Sequence, residues 1–163
     1  MMEITREDRR SVINHCYLAY FISGMVILIF GVILPNLIEE RNLSFTAAGG
    51  LLFILLLGIV SGSIPAALIS SYRPIEVMKG TFRQKTKMSQ KMAVVVLAIP
   101  YPVCLLLFTF GLPVPVLYVM IFLIGITKGM ITIINNHAIR QVTGSSNKYL
   151  NLLHMWYAVG AFL

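Results

Sequence analysis

One apolar stretch of this chain, 116–139, holds Lys128, Thr132, Asn135 and Asn136. At 100° per helical residue, Thr132 lies about 40° from Lys128, Asn135 about 20° the other way and Asn136 about 80°, so the four form one stripe. Lys128 sits about 16–18 Å along the axis from either end of the stretch, further than its side chain comfortably reaches to water. A charged group at that depth is read as functional by default, and a stripe this polar is costly against lipid. It either lines a water-filled or solute-filled interior or makes hydrogen bonds between helices, and the first is the expectation taken forward. His137 falls about 180° away and is read as interfacial or structural.

Further along, Asn151, His154 and Ala158 recur at i, i+3, i+7 and give a second polar and small face. His154 is a proton relay, a substrate contact or a hydrogen-bonded structural residue. No Asp or Glu lies in any predicted span. The counter-charge for Lys128 is then in sequence beyond this chain, on an anionic ligand, or absent because the lysine is neutral. Cys16 and Cys104 match neither a disulfide framework nor zinc-ligand spacing, and no Ser/His or His/Glu pair has usable helical spacing. The expectation is therefore no enzyme, no metal and no cofactor.

These residues must be positioned by membrane helices. Of 163 residues, 58% are hydrophobic and 12% charged, with a mean hydropathy of +0.84. A soluble domain carries about twice that charge, so the apolar excess faces lipid. Charge-free intervals place spans at 17–37 and 47–71. The interval 92–127 is 36 residues long, which as one helix would measure roughly 54 Å against a hydrocarbon core of roughly 30 Å. It must divide at Gly111-Leu112-Pro113-Val114-Pro115, because prolines cannot sit inside a helix that needs every backbone hydrogen bond. Spans at 92–110 and 116–139 follow, and an apolar run at 149–163 starts a fifth that the chain leaves unfinished. The expected fold is an all-α polytopic membrane helical bundle with four complete transmembrane helices and the start of a fifth.

Lys and Arg fall on one side of this arrangement. The amino-terminal tail has Arg6, Arg9 and Arg10; the 72–91 connection has Arg73, Lys79, Arg83, Lys85, Lys87 and Lys91; the 140–148 connection has Arg140 and Lys148. The opposite side has Arg41, so the amino terminus and the two basic connections are expected in the cytoplasm of a cell with the protein in its plasma membrane. The formal charge of +7 is explained by these anchors facing anionic lipid, and no nucleic-acid partner is expected. Loop 72–91 is read as a topology anchor ahead of a lipid-binding or gating element. Glu39 and Glu40 are read as a solvated helix end.

Small residues mark packing faces. Gly24 and Gly31 share a face with Tyr20, and Gly58 with Gly62 makes a GxxxG. Pro65, Pro100 and Pro102 would kink or loosen their helices, which neighbours or water must compensate. Sliding the chain by 101 residues puts Gly24 on Gly125 and Ile33 on Ile134, and Gly50-Leu51-Leu52-Phe53 on Asn151-Leu152-Leu153-His154. Span one is thereby related to span four and span two to span five, the pattern of a nested inverted three-helix repeat.

At these residues the sequence resembles the major facilitator superfamily. Ile33-Leu34-Pro35-Asn36-Leu37-Ile38-Glu39-Glu40, followed by Asn42-Leu43-Ser44-Phe45-Thr46-Ala47-Ala48-Gly49, is similar to the family's first helix, short outer loop and entry to helix two. The stretch from Gly125 to Asn136, with Asn151-Leu152-Leu153-His154 and Gly160, is similar to the fucose-permease-like branch. Departures are visible. Thr127 replaces a small residue, Thr132 stands where an acid is common, and the Asp-Arg signature after helix two is replaced by Ala67-Leu68-Ile69-Ser70-Ser71-Tyr72-Arg73-Pro74.

The resemblance implies the amino-terminal part of a 12-helix facilitator, with the carboxy-terminal helices and the bilayer as its partners. Its activity would be secondary active or facilitative transport of a small polar solute, sugar-like or another metabolite, by alternating access. Lys128, Thr132, Asn135, Asn136, Asn151 and His154 would contact that solute or water, and Gly24, Gly31, Gly58 and Gly62 would pack the helices. A small multi-span scaffold or assembly protein without transport is the alternative from a different class.

Overall fold

The computed structural model describes residues 6–72, 99, 103, 106, 110, 113–144 and 146–163. Their regular structure comprises α1 (Arg6–Glu40), α2 (Phe45–Tyr72), α3 (Val114–Thr143) and α4 (Asn147–Phe162). Three of these, α1, α2 and α3, are long and apolar enough to cross a membrane. The fourth has 16 residues, a length of about 24 Å against a hydrocarbon core of roughly 30 Å. The chain is thus an all-α integral membrane protein. The predicted third span, 92–110, with Cys104, Pro100 and Pro102, lies outside the described residues apart from Ile99, Val103, Leu106 and Phe110, as do Arg73, Lys79, Arg83, Lys85, Lys87 and Lys91.

α1, α2 and α3 run past their predicted spans at both ends. The segment 17–37 lies inside α1, which begins at Arg6 and is 35 residues long. Charge marks where lipid stops, whereas a helix needs only its own backbone bonds and continues into water. In that upstream turn His15 Nδ1 donates to the Ser11 carbonyl at 2.6 Å. At the other end α1 runs through Pro35 to Glu40, where the resemblance implied a helix ending near the proline.

The predicted span 116–139 lies inside α3, which starts at Val114 and takes Pro115 into its first turn. There the missing N–H is one of the donors a helix start leaves unpaired anyway. The Pro113 carbonyl accepts from Val116 at 2.9 Å and Leu117 at 3.3 Å, closing that turn.

Short caps join the helices. Asn42 takes a positive φ of 49° after α1, a conformation its small polar side chain tolerates. Ser44 then caps α2 by accepting the Ala47 N–H on its Oγ at 3.2 Å. Gly144, at φ +66°, ends α3 in the left-handed position that glycine adopts without steric cost, and Ser146 precedes α4.

The chain falls into two compact units, the first comprising Met1–Glu39 and Asn135–Leu163, the second Glu40–Ile134. In the first, Cys16, Tyr20, Ala138, Ile139 and Leu153 form a buried core on which Val12, Tyr17, Tyr149, Leu150 and Tyr157 pack. Trp156 stacks on Tyr17 with centroids 6.5 Å apart and meets Phe21 edge-on at 6.1 Å. α1 and α4 touch backbone to backbone: a methyl built on Gly24 would strike the Tyr157 carbonyl oxygen, and one on Gly160 the Phe21 carbonyl oxygen.

In the second unit α2 and α3 approach in the same way. Methyls on Gly58 and Gly62 would strike the Phe122 and Ile126 carbonyl oxygens, and methyls on Gly125 and Gly129 those of Leu55 and Ile59. Such contacts replace the hydrophobic effect, which is absent between helices in lipid, with dense van der Waals packing.

The two units repeat one set of contacts. Tyr17 donates to the Tyr149 carbonyl at 3.5 Å, and Tyr118 donates to the Ala47 carbonyl at 2.9 Å. Phe21 against Gly160 corresponds to Phe122 against Gly58, and Tyr157 against Gly24 corresponds to Leu55 against Gly125. On α1 and α3 the partners are 101 residues apart, so Tyr17, Phe21 and Gly24 align with Tyr118, Phe122 and Gly125. Burial follows that register: Cys16, Tyr20, Ser23, Val26, Phe30 and Leu37 are buried, and so are Leu117, Ile121, Ile124, Thr127, Ile131 and Ala138. On α2 and α4 the contacts set a shift of 102, one residue from the shift that sequence matching suggests, so Leu51 and Leu153, both fully buried, are equivalent. Matches among apolar residues fix no register; a carbonyl seated on a glycine does.

Candidate functional site

The first unit gathers polar side chains around Tyr20. This residue is 4% exposed, one turn before the contact glycine Gly24, so its hydroxyl enters the protein with the packed face of α1. It donates to Oδ1 of Asn136 at 3.1 Å. The His154 ring meets the Tyr20 ring edge-on with centroids 5.7 Å apart, and Tyr157 does so at 6.2 Å. Asn135, the neighbour of Asn136, is 1% exposed, and its Nδ2 is buried without a hydrogen-bond partner among the described residues. A buried donor left unpaired costs on the order of 1–3 kcal/mol, which makes Asn135 an expensive residue to keep for packing alone.

Of the residues singled out from sequence, Asn136 and His154 are therefore brought onto one tyrosine. Asn151, also on α4, is exposed. Lys128 and Thr132 belong to the second unit, half-buried on α3, and each is engaged by a partner. His137, on the other side of α3, is held by the side-chain amide of Gln141 one turn on. Among the glycines, Gly24, Gly58 and Gly62 lie in the close helix contacts described above, whereas Gly31 is exposed and has nothing within 4 Å of where its Cβ would be.

Three further hydroxyls in the helices are used locally. Ser63 donates to the Ile59 carbonyl at 2.7 Å, buried Thr127 to Leu123 at 2.9 Å and Thr143 to Ile139 at 2.7 Å. Each satisfies itself on its own helix and offers no donor to a ligand. That sets them apart from Asn135, whose Nδ2 is buried with no hydrogen-bond partner among the described residues.

Sequence reasoning placed Tyr20 on a packing face and missed its hydroxyl. The available signal was a phenol in mid-span, since a buried tyrosine O–H finds a partner and α3 alone offers two adjacent amides at similar depth. A second contact that spacing did not reveal lies near the start of α1, where the Arg9 guanidinium stands over the Tyr149 ring at 5.4 Å. Among the described residues no group of three His, Cys, Asp or Glu is placed to hold a metal ion.

Comparison with family models, with curated proteins and with solved structures returns no match to this chain.

Proposed function

We propose that this protein is a facilitator-type transporter, supplying the amino-terminal helices of a 12-helix fold, that moves a small polar solute by alternating access. What supports this most is the recurrence of one contact set in both units: a tyrosine hydroxyl on a carbonyl, and a reciprocal pair of carbonyls seated on glycines. Secondary transporters are assembled from such internal repeats, whose smooth glycine contacts let helices rock without unpacking. The polar residues of α3, Lys128, Thr132, Asn135 and Asn136, and those of α4, Asn151 and His154, are the ones that meet solute or water during the cycle. Intramembrane polar groups are costly and are kept for such pathways. The bias of Lys and Arg to one side of the spans supports a reading with the amino terminus in the cytoplasm and the protein in the plasma membrane.

Solute uptake by the full-length protein in vesicles tests this proposal. Substituting Lys128 by Met keeps the length and apolar stem of the side chain and removes the charge. Saturable uptake that falls in this variant supports the proposal, and uptake that is unchanged removes Lys128 from the mechanism.

A further inference from the structure

Arg9 shares the packed face of α1 with Val12, Cys16 and Tyr20, at i+3, i+7 and i+11. Arg6 and Arg10 are exposed, whereas Arg9 is half-buried and its guanidinium stands over the Tyr149 ring, 5.4 Å from the centroid. The ring attracts the cation without supplying an oxygen acceptor. The N–H fork, which matches the paired oxygens of a phosphate, is therefore not consumed by this contact.

The first unit gathers cations at the same end. α3 and α4 are joined through 144–146, so Arg140 in the last turn of α3 and Lys148 in the first turn of α4 flank that connection, beside Tyr149 in sequence. Counted within this unit, Arg6, Arg9, Arg10, Arg140 and Lys148 stand against Glu3, Glu7 and Asp8, five cations to three carboxylates. The unit's remaining carboxylate, Glu39, is at the far end of α1, about 45 Å along the helix from Arg9. The apolar stretches stop at 139 and resume at 149, which puts Tyr149 where hydrocarbon gives way to headgroups, the level at which tyrosine rings settle. A surplus of cations at that level attracts anionic lipid.

Packing alone does not call for the Arg9–Tyr149 pair. Under the repeat, Arg9 aligns with Phe110 and Tyr149 with Ala47. There Tyr118 still reaches the Ala47 carbonyl at 2.9 Å, closer than Tyr17 comes to the Tyr149 carbonyl at 3.5 Å. Equivalent helix starts are thus secured without a cation or a ring.

From the seating of Arg9 on Tyr149 among the cations of this end, we infer that the first unit binds the phosphate of an anionic phospholipid there. Arg9 supplies the donors, Tyr149 positions it, and Arg140 and Lys148 add charge. A topology anchor needs charge alone, whereas this site also needs the ring. The inference stands whether or not the chain transports a solute.

The test uses Trp156, the chain's single tryptophan, which stacks on Tyr17 in the same unit. The full chain in mild detergent is titrated with phosphatidylglycerol or phosphatidylcholine carrying brominated acyl chains, and quenching of Trp156 reports lipid beside it. Phosphatidylglycerol quenches at a concentration about tenfold lower than phosphatidylcholine does. Arg9→Lys and Tyr149→Leu, which alter no charge, each reduce that preference about threefold to fivefold. Tyr149→Phe keeps the ring and the preference, and Arg10→Gln, which removes an exposed cation, changes it less than about twofold. Quenching by phosphatidylcholine is the same in all four variants, as it must be where the helices remain packed.

Equal quenching by the two lipids overturns the inference. A preference that survives both Arg9→Lys and Tyr149→Leu overturns the Arg9–Tyr149 site and leaves a diffuse surface charge. Loss of the preference on adding sodium phosphate, but not sodium chloride at equal ionic strength, assigns the site to free phosphate and overturns the lipid.

Discussion

The hydroxyl of Tyr118 donates to the carbonyl oxygen of Ala47 at 2.9 Å, tying the first turn of α2 to α3. Its counterpart in the other unit, from Tyr17 to Tyr149, is longer at 3.5 Å. Two tyrosines, 101 residues apart, thus secure equivalent helix starts, each after a serine, Ser44 or Ser146. A motif spread over four helices and repeated at matched burial is a strong sign of duplicated architecture. Residue-by-residue coincidence in apolar sequence is a weak one.

The difference in length between the two bonds gives a first prediction. Tyr118→Phe removes a well-formed bond and lowers stability by about 1 kcal/mol, while Tyr17→Phe removes a stretched one and costs less than half as much. Reversible unfolding in mixed detergent micelles, with the same denaturant series for both variants, measures the two. Equal losses would show that the 3.5 Å contact is as strong as the shorter one.

Glycine substitutions separate contact from composition. Gly24→Ala and Gly125→Ala drive a methyl into the Tyr157 and Leu55 carbonyl oxygens, respectively. Each lowers stability by about 1–3 kcal/mol, because backbone cannot move aside as a flexible side chain would. Gly31→Ala meets nothing within 4 Å and is neutral or stabilising by up to about 1 kcal/mol through helix propensity. Thermal unfolding midpoints of the three variants check the order, and a loss at Gly31 comparable to that at Gly24 would contradict it.

Asn135 carries a trade between stability and function. Replacing it by Leu, of similar volume, removes the unpaired buried Nδ2 and raises stability by about 1 kcal/mol. The same substitution removes a donor from the proposed site, so uptake falls while the unfolding midpoint rises. A variant that is less stable than the parent would mean that the amide is satisfied in the native membrane and serves packing.

Much of the helical layout is legible in the sequence because lipid imposes one strong rule, that charge and unpaired backbone stay out. That rule locates apolar stretches such as 17–37, yet it is silent on helix ends in water, where α1 continues from Arg6 to Glu40 on local bonding alone. It also misses that Pro115 is harmless in the first turn of α3. The site is only half legible. A 100° rule groups Lys128, Thr132, Asn135 and Asn136 on one helix face, but it does not say that Tyr20, 116 positions from Asn136, reaches that amide. Contacts between helices depend on which carbonyl seats on which glycine, and a one-residue change of register, as between shifts of 101 and 102, leaves hydropathy untouched.

Uptake by the full-length protein in sealed proteoliposomes tests the transport proposal most directly, with labelled acetate, glucose and glycerol each compared against protein-free vesicles. The account predicts saturable entry of at least one of the three, reduced about tenfold by Lys128→Met, since a charge kept in mid-span serves the solute pathway. Entry of all three solutes no faster than into protein-free vesicles contradicts transport, and a scaffold or assembly role would then be the reading to pursue.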